Sequence, residues 1–433
     1  MLLNLIEALM VGPRPESAVE TTLSPVWGYH YSNLYAAIYR AGKELAPLDI
    51  EQDDWLQKLR AARLEWLSTQ SIDPQPATGK WRVRILDASD YPRPKTKTVE
   101  LGYVHGADGM RLGHGLSLLS EDVGEGSWVL PLEIAWIPPG VHPATYGVVQ
   151  IEQFVKRYGW RGDQILDVDA GYTVDPFLRP VHQAGVAMLG RVAANRCFFL
   201  PPPPYRGVGR PPVRGRKIKL NDGRTLPPID QRAARQLPGG GRIEVSRWND
   251  VRMRKWPSQR LLLYRVIESR ADGKPRYKRP LWLIFVPTPE QPEVKIAQLE
   301  APTPLEAQAI YERRFGVEHS IRFFKRELGL TAGQFNSIDA EARVQVWVEM
   351  VALAFWFLWA MSGLAKTADR KLIPGWWRHG KLTPGVIRRL APGLLLSLGW
   401  RKPQPKLRGK SSGRSKGTTF EPRARFKPLR QTV

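Results

Sequence analysis

Apolar positions in the first 75 residues recur at helical spacing. In DDWLQKLRAARLEWLSTQ, Trp55, Leu59, Ala62 and Trp66 follow at steps of 4, 3 and 4. They draw one stripe along a helix, and Asp53 stands where an N-cap belongs. SIDPQPATGK breaks that period and sets a boundary near residue 75. The pattern then alternates. WRVRILDAS places Trp81, Val83 and Ile85 on one face of a strand, and TVELGYVHG, RLGHGLSLLSE and SWVLPLEIAWI follow as an antiparallel meander between Gly- and Asp-rich turns. A helix at GVVQIEQFVKRYGW, a strand at QILDVD, a helix near DPFLRPVHQAG and a strand at VAMLGRVAANRCFFL complete a β-β-β-α-β-α-β order, a mixed α/β layer.

At 201–224 the composition shifts to PPPPYRGVGRPPVRGRKIKLNDGR, with seven Lys/Arg against one acid, which excludes helix or central strand. This extended basic segment leads into a β-rich stretch (GRIEVSRWNDVRMRKW, QRLLLYRVIES, RPLWLIFVP) that runs to about residue 300. Helical spacing returns in TPLEAQAIYERRFGVEHSIRFFKREL. The divisions are 1–75 helical, 76–200 mixed α/β, 201–300 basic linker and β-rich insertion, 301–400 helical, and 401–433 a basic tail. Residues 346–365 are nearly all apolar and long enough to span a bilayer, but they stand alone and carry Glu349, so they read as a buried core helix.

Charge changes the picture. The 65 Lys+Arg against 41 Asp+Glu give +24, which points to a polyanionic partner, nucleic acid before membrane. The tail from Arg401 adds eleven Lys/Arg to one acid and suits phosphate contact. The single cysteine, Cys197, excludes an intrachain disulfide framework and a cysteine-rich metal site. MLLNLIEALM has no basic n-region and does not read as a secretory signal, so a cytoplasmic setting is expected.

The helix near 305–330 carries the chemistry. Tyr311, Arg314, Glu318 and Lys325 are spaced 3, 4 and 7 and fall inside an arc of about 60° on a continuous helix, with Arg322 beside them. Ile310, Val317, Ile321, Phe324 and Leu328 form the adjoining apolar stripe. A carboxylate set between cations on one line suits metal and phosphate; the same spacing also describes a solvated face with a Glu–Arg pair. Asp87 closes WRVRILDAS and Asp169 closes QILDVD, with Asp90 and Asp167 as near rivals. Converging acids repel unless a cation joins them, and paired Mg²⁺ at such acids serves phosphodiester attack.

On these residues the chain resembles a bacterial insertion-sequence DDE transposase, of the group whose signature is Tyr-(2)-Arg-(3)-Glu-(6)-Lys. Tyr311, Arg314, Glu318 and Lys325 complete that signature. ILDASDYPRPK resembles the first-acid block and selects Asp87; DVDAGY resembles the second and selects Asp169 with Tyr172. The resemblance covers about 80–400 and implies an RNase H-like mixed sheet flanked by helices, split by an inserted β-rich subdomain. The N-terminal helices stand, by position, where the family recognises element ends.

The resemblance implies that Asp87, Asp169 and Glu318 hold two Mg²⁺, with Mn²⁺ able to substitute. It implies that Tyr311, Arg314 and Lys325 grip DNA phosphates near the cut, with Arg322 flanking. The implied activity is metal-dependent cleavage and strand transfer at transposon ends, cut-and-paste through a hairpin. The implied partners are double-stranded DNA (terminal inverted repeats and target) and a second copy on DNA. A tryptophan of the insertion often holds a flipped base in the family; Trp248, Trp256 and Trp282 are the candidates. A DNA-binding relative without catalysis and another RNase H-like nuclease are the alternatives.

Overall fold

The computed structural model describes residues 1–45, 54–70, 76–93, 101–106, 109–124, 126–205, 207, 209–289, 300–335, 340–367, 381–400 and 417. Asp53 and nearly all of the basic tail lie outside the described residues. Helices α1 (Leu2–Val11), α2 (Tyr31–Glu44) and α3 (Asp54–Thr69) precede strands β1 (Arg82–Pro92), β2 (Gly102–Gly106), β3 (Gly109–Asp122) and β4 (Val129–Ile137). Then come α4 (Pro143–Tyr158), β5 (Gln164–Val168), α5 (Asp175–Gln183) and β6 (Met188–Val192). Strands β7 (Cys197–Phe199), β8 (Lys217–Lys219), β9 (Gln231–Gln236), β10 (Arg242–Met253), β11 (Trp256–Ser269) and β12 (Leu281–Val286) follow. Helices α6 (Pro304–Arg313), α7 (Phe315–Arg326), α8 (Ala340–Thr367) and α9 (Pro384–Ser397) close the order.

The expected β-β-β-α-β-α-β order is present in β1, β3, β4, α4, β5, α5 and β6, with β2 a short partner at the far end of β3. Strand β1 pairs antiparallel with β3 and parallel with β5, and β5 runs parallel with β6. Every residue of β5 is buried, as a strand covered on both faces must be. Its side chains alternate. Leu86, Leu166, Val168 and Met188 pack on one face with Ile151 and Phe154 of α4 and Phe177 of α5. Val83, Ile85, Ile165 and Leu189 pack on the other with Ala307, Ile310 and Tyr311 of α6 and Val317 of α7.

The strands of the insertion continue this sheet. Strand β12 pairs antiparallel with β6, β11 with β12 and β10 with β11, so that the described residues form a mixed sheet of twelve strands flanked by helices. The strand expected over 186–200 is two, β6 and β7. Between them Arg196 N–H donates to Ala193 O across a tight turn.

Helix α8 is long and apolar enough to cross a membrane by length and composition, and 67% of its most apolar window is buried inside the protein. Residues of α1, α2, α9 and β4 share its core. The stripe expected on α3 is displaced. The buried line is Leu56, Arg60, Arg63 and Leu67, whereas Trp55 is 36% exposed. The reason is charge pairing. Arg60 reaches Glu133 at 3.2 Å, and Arg63 reaches Glu349 of α8 at 2.5 Å. Each arginine therefore enters the core with a carboxylate, which makes its burial tolerable.

Candidate active site

The acids are placed by strand parity. The parallel ladder between β1 and β5 ends at Leu86 and Val168. Asp87 and Asp169 are the next residues on the two strands. As odd positions they follow Ile85 and Ile165 onto the face covered by α6 and α7. Asp87 does not close its strand, as the sequence suggested. Pairing with β3 carries β1 on to Pro92, opposite Gly113.

The helix expected to run unbroken past residue 314 is broken there. Arg314 N–H donates to Tyr311 O at 3.2 Å and Val317 N–H to Arg314 O at 3.0 Å, three-residue bonds that mark a tightened turn. Gly316 lets the turn press on β4. A Cβ there would stand 2.4 Å from Val129 Cγ2. Gly316→Ala is accordingly expected to lose about 1–2 kcal/mol in thermal denaturation, because the clash outweighs alanine's helix preference of about 1 kcal/mol. A rise in the midpoint would show that β4 yields.

Asp87, Asp169, Glu318, Arg314, Arg322 and Lys325 line one open cavity of about 480 Å³, with Ser89 and Arg326. Six of the seven residues expected at the site are thus brought together. Tyr311 is not: it is 3% exposed and lies behind Arg314, whose guanidinium sits 5.7 Å from its ring centre. Asp90 lies off this cavity, and Asp167 is fully buried and does not line it. A larger cavity of about 580 Å³, lined by Tyr35, Tyr39, Arg40 and Arg343, contains no acid and is not the site of this chemistry.

Arg314 stands among the acids. Its Nη1 is 3.4 Å from Asp87 Oδ2 and its Nη2 is 2.5 Å from Glu318 Oε1. Among the described residues no three of His, Cys, Asp and Glu lie close enough to hold a metal ion. The three acids therefore line one cavity but do not stand close enough together to share an ion. Their chemistry does fit a hard divalent cation. All three are carboxylates, and Asp169 keeps a buried Oδ1 without a hydrogen bond.

Burial pushes the Asp87 carboxyl up to about 6, with Asp169 and Glu318 raising it and Arg314 opposing. Burial pulls Arg314 down, but Tyr311, Asp87, Asp169 and Glu318 outweigh it and raise that guanidinium. Burial lowers the Lys325 ammonium, and Asp90 opposes the change. Asp87 binds its proton more tightly folded than unfolded. Its contribution to stability is full below about pH 4 and is lost as pH rises through about 6. In metal-free buffer Asp87→Asn is expected to be more stable than the parent at pH 7.5, by about 1–3 kcal/mol, and equal to it near pH 4. Equal stability at pH 7.5 would show that Asp87 carries no such penalty.

The flipped-base candidates are core residues. Trp248 and Trp282 are each 2% exposed and pack together at 5.7 Å, and Trp256 is 7% exposed. None offers an open ring face.

Residues 78–357 match the family described as the transposase DDE domain. No curated protein sequence matches the chain. Among solved structures the chain is similar to a piggyBac transposase in its synaptic complex with hairpin DNA, with 11% identity and a TM-score of 0.33. That likeness covers 78% of this chain and 60% of the other.

Proposed function

The chain belongs to the transposase DDE domain family, and from that premise we propose that it cuts and joins DNA at the ends of a mobile element. The observation that carries this reading is the pocket itself: two strand-borne aspartates side by side at the end of the β1–β5 ladder, and a helical glutamate from α7 facing the same cavity. The fold we assign to it is RNase H-like.

Asp87, Asp169 and Glu318 would hold two Mg²⁺, with Mn²⁺ as a substitute. When bound, these ions activate a water or 3′-hydroxyl and neutralise charge on the leaving oxygen. The protein's own cations do the positioning. Arg314, Arg322 and Lys325 line the cavity where a phosphate would lie, and the guanidinium's planar fork suits two phosphate oxygens. Tyr311 supports Arg314 from beneath and does not grip phosphate. Hydrolysis of one strand at each end frees a 3′-hydroxyl. That hydroxyl then attacks the opposite strand, closing a hairpin on the element end as that strand's bond to the flanking DNA breaks; a second hydrolysis opens the hairpin, and the regenerated 3′-hydroxyl attacks a target phosphodiester, whose own 3′ oxygen leaves. Two copies work on paired inverted repeats, in the cytoplasm at the nucleoid.

The test is incubation of purified full-length protein with labelled duplex from the inverted repeats flanking its gene, with Mg²⁺. End-specific nicks followed by hairpins are expected; preference for an RNA–DNA hybrid, or binding without cutting in Mg²⁺ and Mn²⁺, overturns the assignment.

Binding is expected to weaken steeply with salt. Arg210, Arg214, Arg216, Lys217, Lys219 and Arg224 are exposed on the segment around β8. Replacing four of them with alanine is expected to flatten the slope of log K against log[salt] by up to about 3.6, near 0.9 per lost phosphate contact. Deleting residues 401–433 is expected to flatten it further; an unchanged slope in either variant would show that the segment does not touch DNA.

A further inference from the structure

We propose that Arg314 is an internal counter-ion that closes the acidic pocket to divalent metal until a DNA phosphate draws it away. The inference rests on the reading of this pocket as a metal-dependent phosphodiester site, and it concerns how that site is regulated.

One guanidinium bridges two of the three acids, Asp87 at 3.4 Å and Glu318 at 2.5 Å. The Arg314 side chain is only 7% exposed and Asp87 18%, so water screens that contact weakly, while Glu318, 42% exposed, holds its contact closer to solvent. A divalent ion drawing on Asp87 and Glu318 must displace a cation that is already paired. The third acid shows what Arg314 leaves undone: Asp169 Oδ1 is buried and unpartnered.

Arg314 is also built to move. It sits at the break between α6 and α7, where the helical hydrogen-bond ladder is interrupted. Its Nε is buried without an acceptor, so the group retains an unused donor. The rings of Tyr311 and the half-exposed Phe315 lie 5.7 and 5.8 Å from it and can support the cation off the acids. Arg322, Lys325 and Arg326 line the same cavity and attract a phosphate to it. A phosphate presenting two oxygens competes for the guanidinium on equal geometric terms with the carboxylates. Once Arg314 turns to the phosphate, the acids are left mutually repelling and ready for metal. DNA and metal then each tighten the binding of the other by the same factor.

The experiment is Mn²⁺ binding to the full-length protein, followed by the electron paramagnetic resonance of free Mn²⁺, with and without a short duplex whose own Mn²⁺ uptake is subtracted. For the parent, the duplex is expected to raise Mn²⁺ affinity by about tenfold or more. Arg314→Gln is expected to bind Mn²⁺ at least about tenfold more tightly than the parent without DNA, and to gain less than about threefold from the duplex. Arg322→Gln removes the same charge from the same cavity but contacts no acid among the described residues, and without DNA it is expected to bind Mn²⁺ within about threefold of the parent, while its gain from the duplex falls. Arg314→Lys, whose single ammonium cannot bridge both acids, is expected to shift in the same direction as Arg314→Gln and serves if that variant does not fold.

The proposal is overturned if Arg314→Gln binds Mn²⁺ no more tightly than the parent, if Arg322→Gln matches Arg314→Gln, or if the duplex-induced gain survives without Arg314. Mn²⁺ binding that disappears in Asp169→Asn shows the pocket to be a metal site whatever Arg314 does. Mn²⁺ that binds no form under any condition removes the metal reading altogether.

Discussion

Glu318→Gln, Asp87→Asn and Asp169→Asn are each expected to lower strand cleavage by at least about 10³-fold, some 4 kcal/mol of transition-state stabilisation. Each exchange keeps side-chain shape and removes one negative charge. The loss falls on the chemical step because a carboxamide cannot supply the anionic oxygen that a divalent ion requires. Duplex binding is expected to stay the same or tighten, since the pocket faces phosphates and each variant makes it more positive. A binding titration and a single-turnover cleavage time course separate the two effects. If all three variants cut as fast as the parent, the pocket is not the catalytic centre. If binding is lost along with cutting, the acids serve the fold. Asp87→Asn adds an internal control, since it is expected to be the most stable of the three in metal-free buffer at neutral pH, so loss of cutting there cannot be laid to unfolding.

The second large effect lies far from the chemistry. Glu349 has a fully buried side chain and pairs with Arg63 at 2.5 Å, with Arg60 at 3.8 Å. Gln345 Nε2 donates to its Oε1 at 3.0 Å. Glu349→Ala leaves two arginines, each 4% exposed or less, without their shared anion. The expected cost is about 3–5 kcal/mol, read as a fall in the denaturant midpoint. Replacing Arg63 and Glu349 together by Leu and Met, with Arg60 still paired to Glu133, is expected to recover most of that loss, because orphaned charge and not lost packing dominates. A Glu349→Ala protein within about 1 kcal/mol of the parent would show that water reaches the arginines.

Where the sequence was legible, a periodic pattern coincided with one physical requirement. Buried parallel strands must be apolar, so an aspartate after QILDV or within RVRILD stood out. Of the apolar stripe Ile310, Val317, Ile321, Phe324 and Leu328, four are buried and Ile321 is partly buried. The displaced features depend on partners distant in the chain. Arg60 and Arg63 read as surface residues until Glu349, more than 280 positions away, is seen against them. The break at Arg314 is followed by Gly316, a weak helix former whose close approach to Val129 depends on a strand distant in the chain. The strand of WRVRILDAS runs on to Pro92 because β3, legible in RLGHGLSLLSE, is long enough to pair with it as far as Gly113, a register that no local pattern prints. An unbroken helix would put Tyr311 on the line of Arg314, Glu318 and Lys325; with the break at Arg314 its ring lies against that guanidinium.

The direct pairing of β12 with β6 has a mechanical consequence. Basic strand β8 is fastened to β7, β7 to β10, and β10 through β11 and β12 to the strand beside β5. A force applied to a polymer held at β8 passes from strand to strand toward the aspartates, crossing from β7 to β10 at the pair Phe199–Arg252. Tension in the bound duplex and alignment of the carboxylates are therefore one elastic problem.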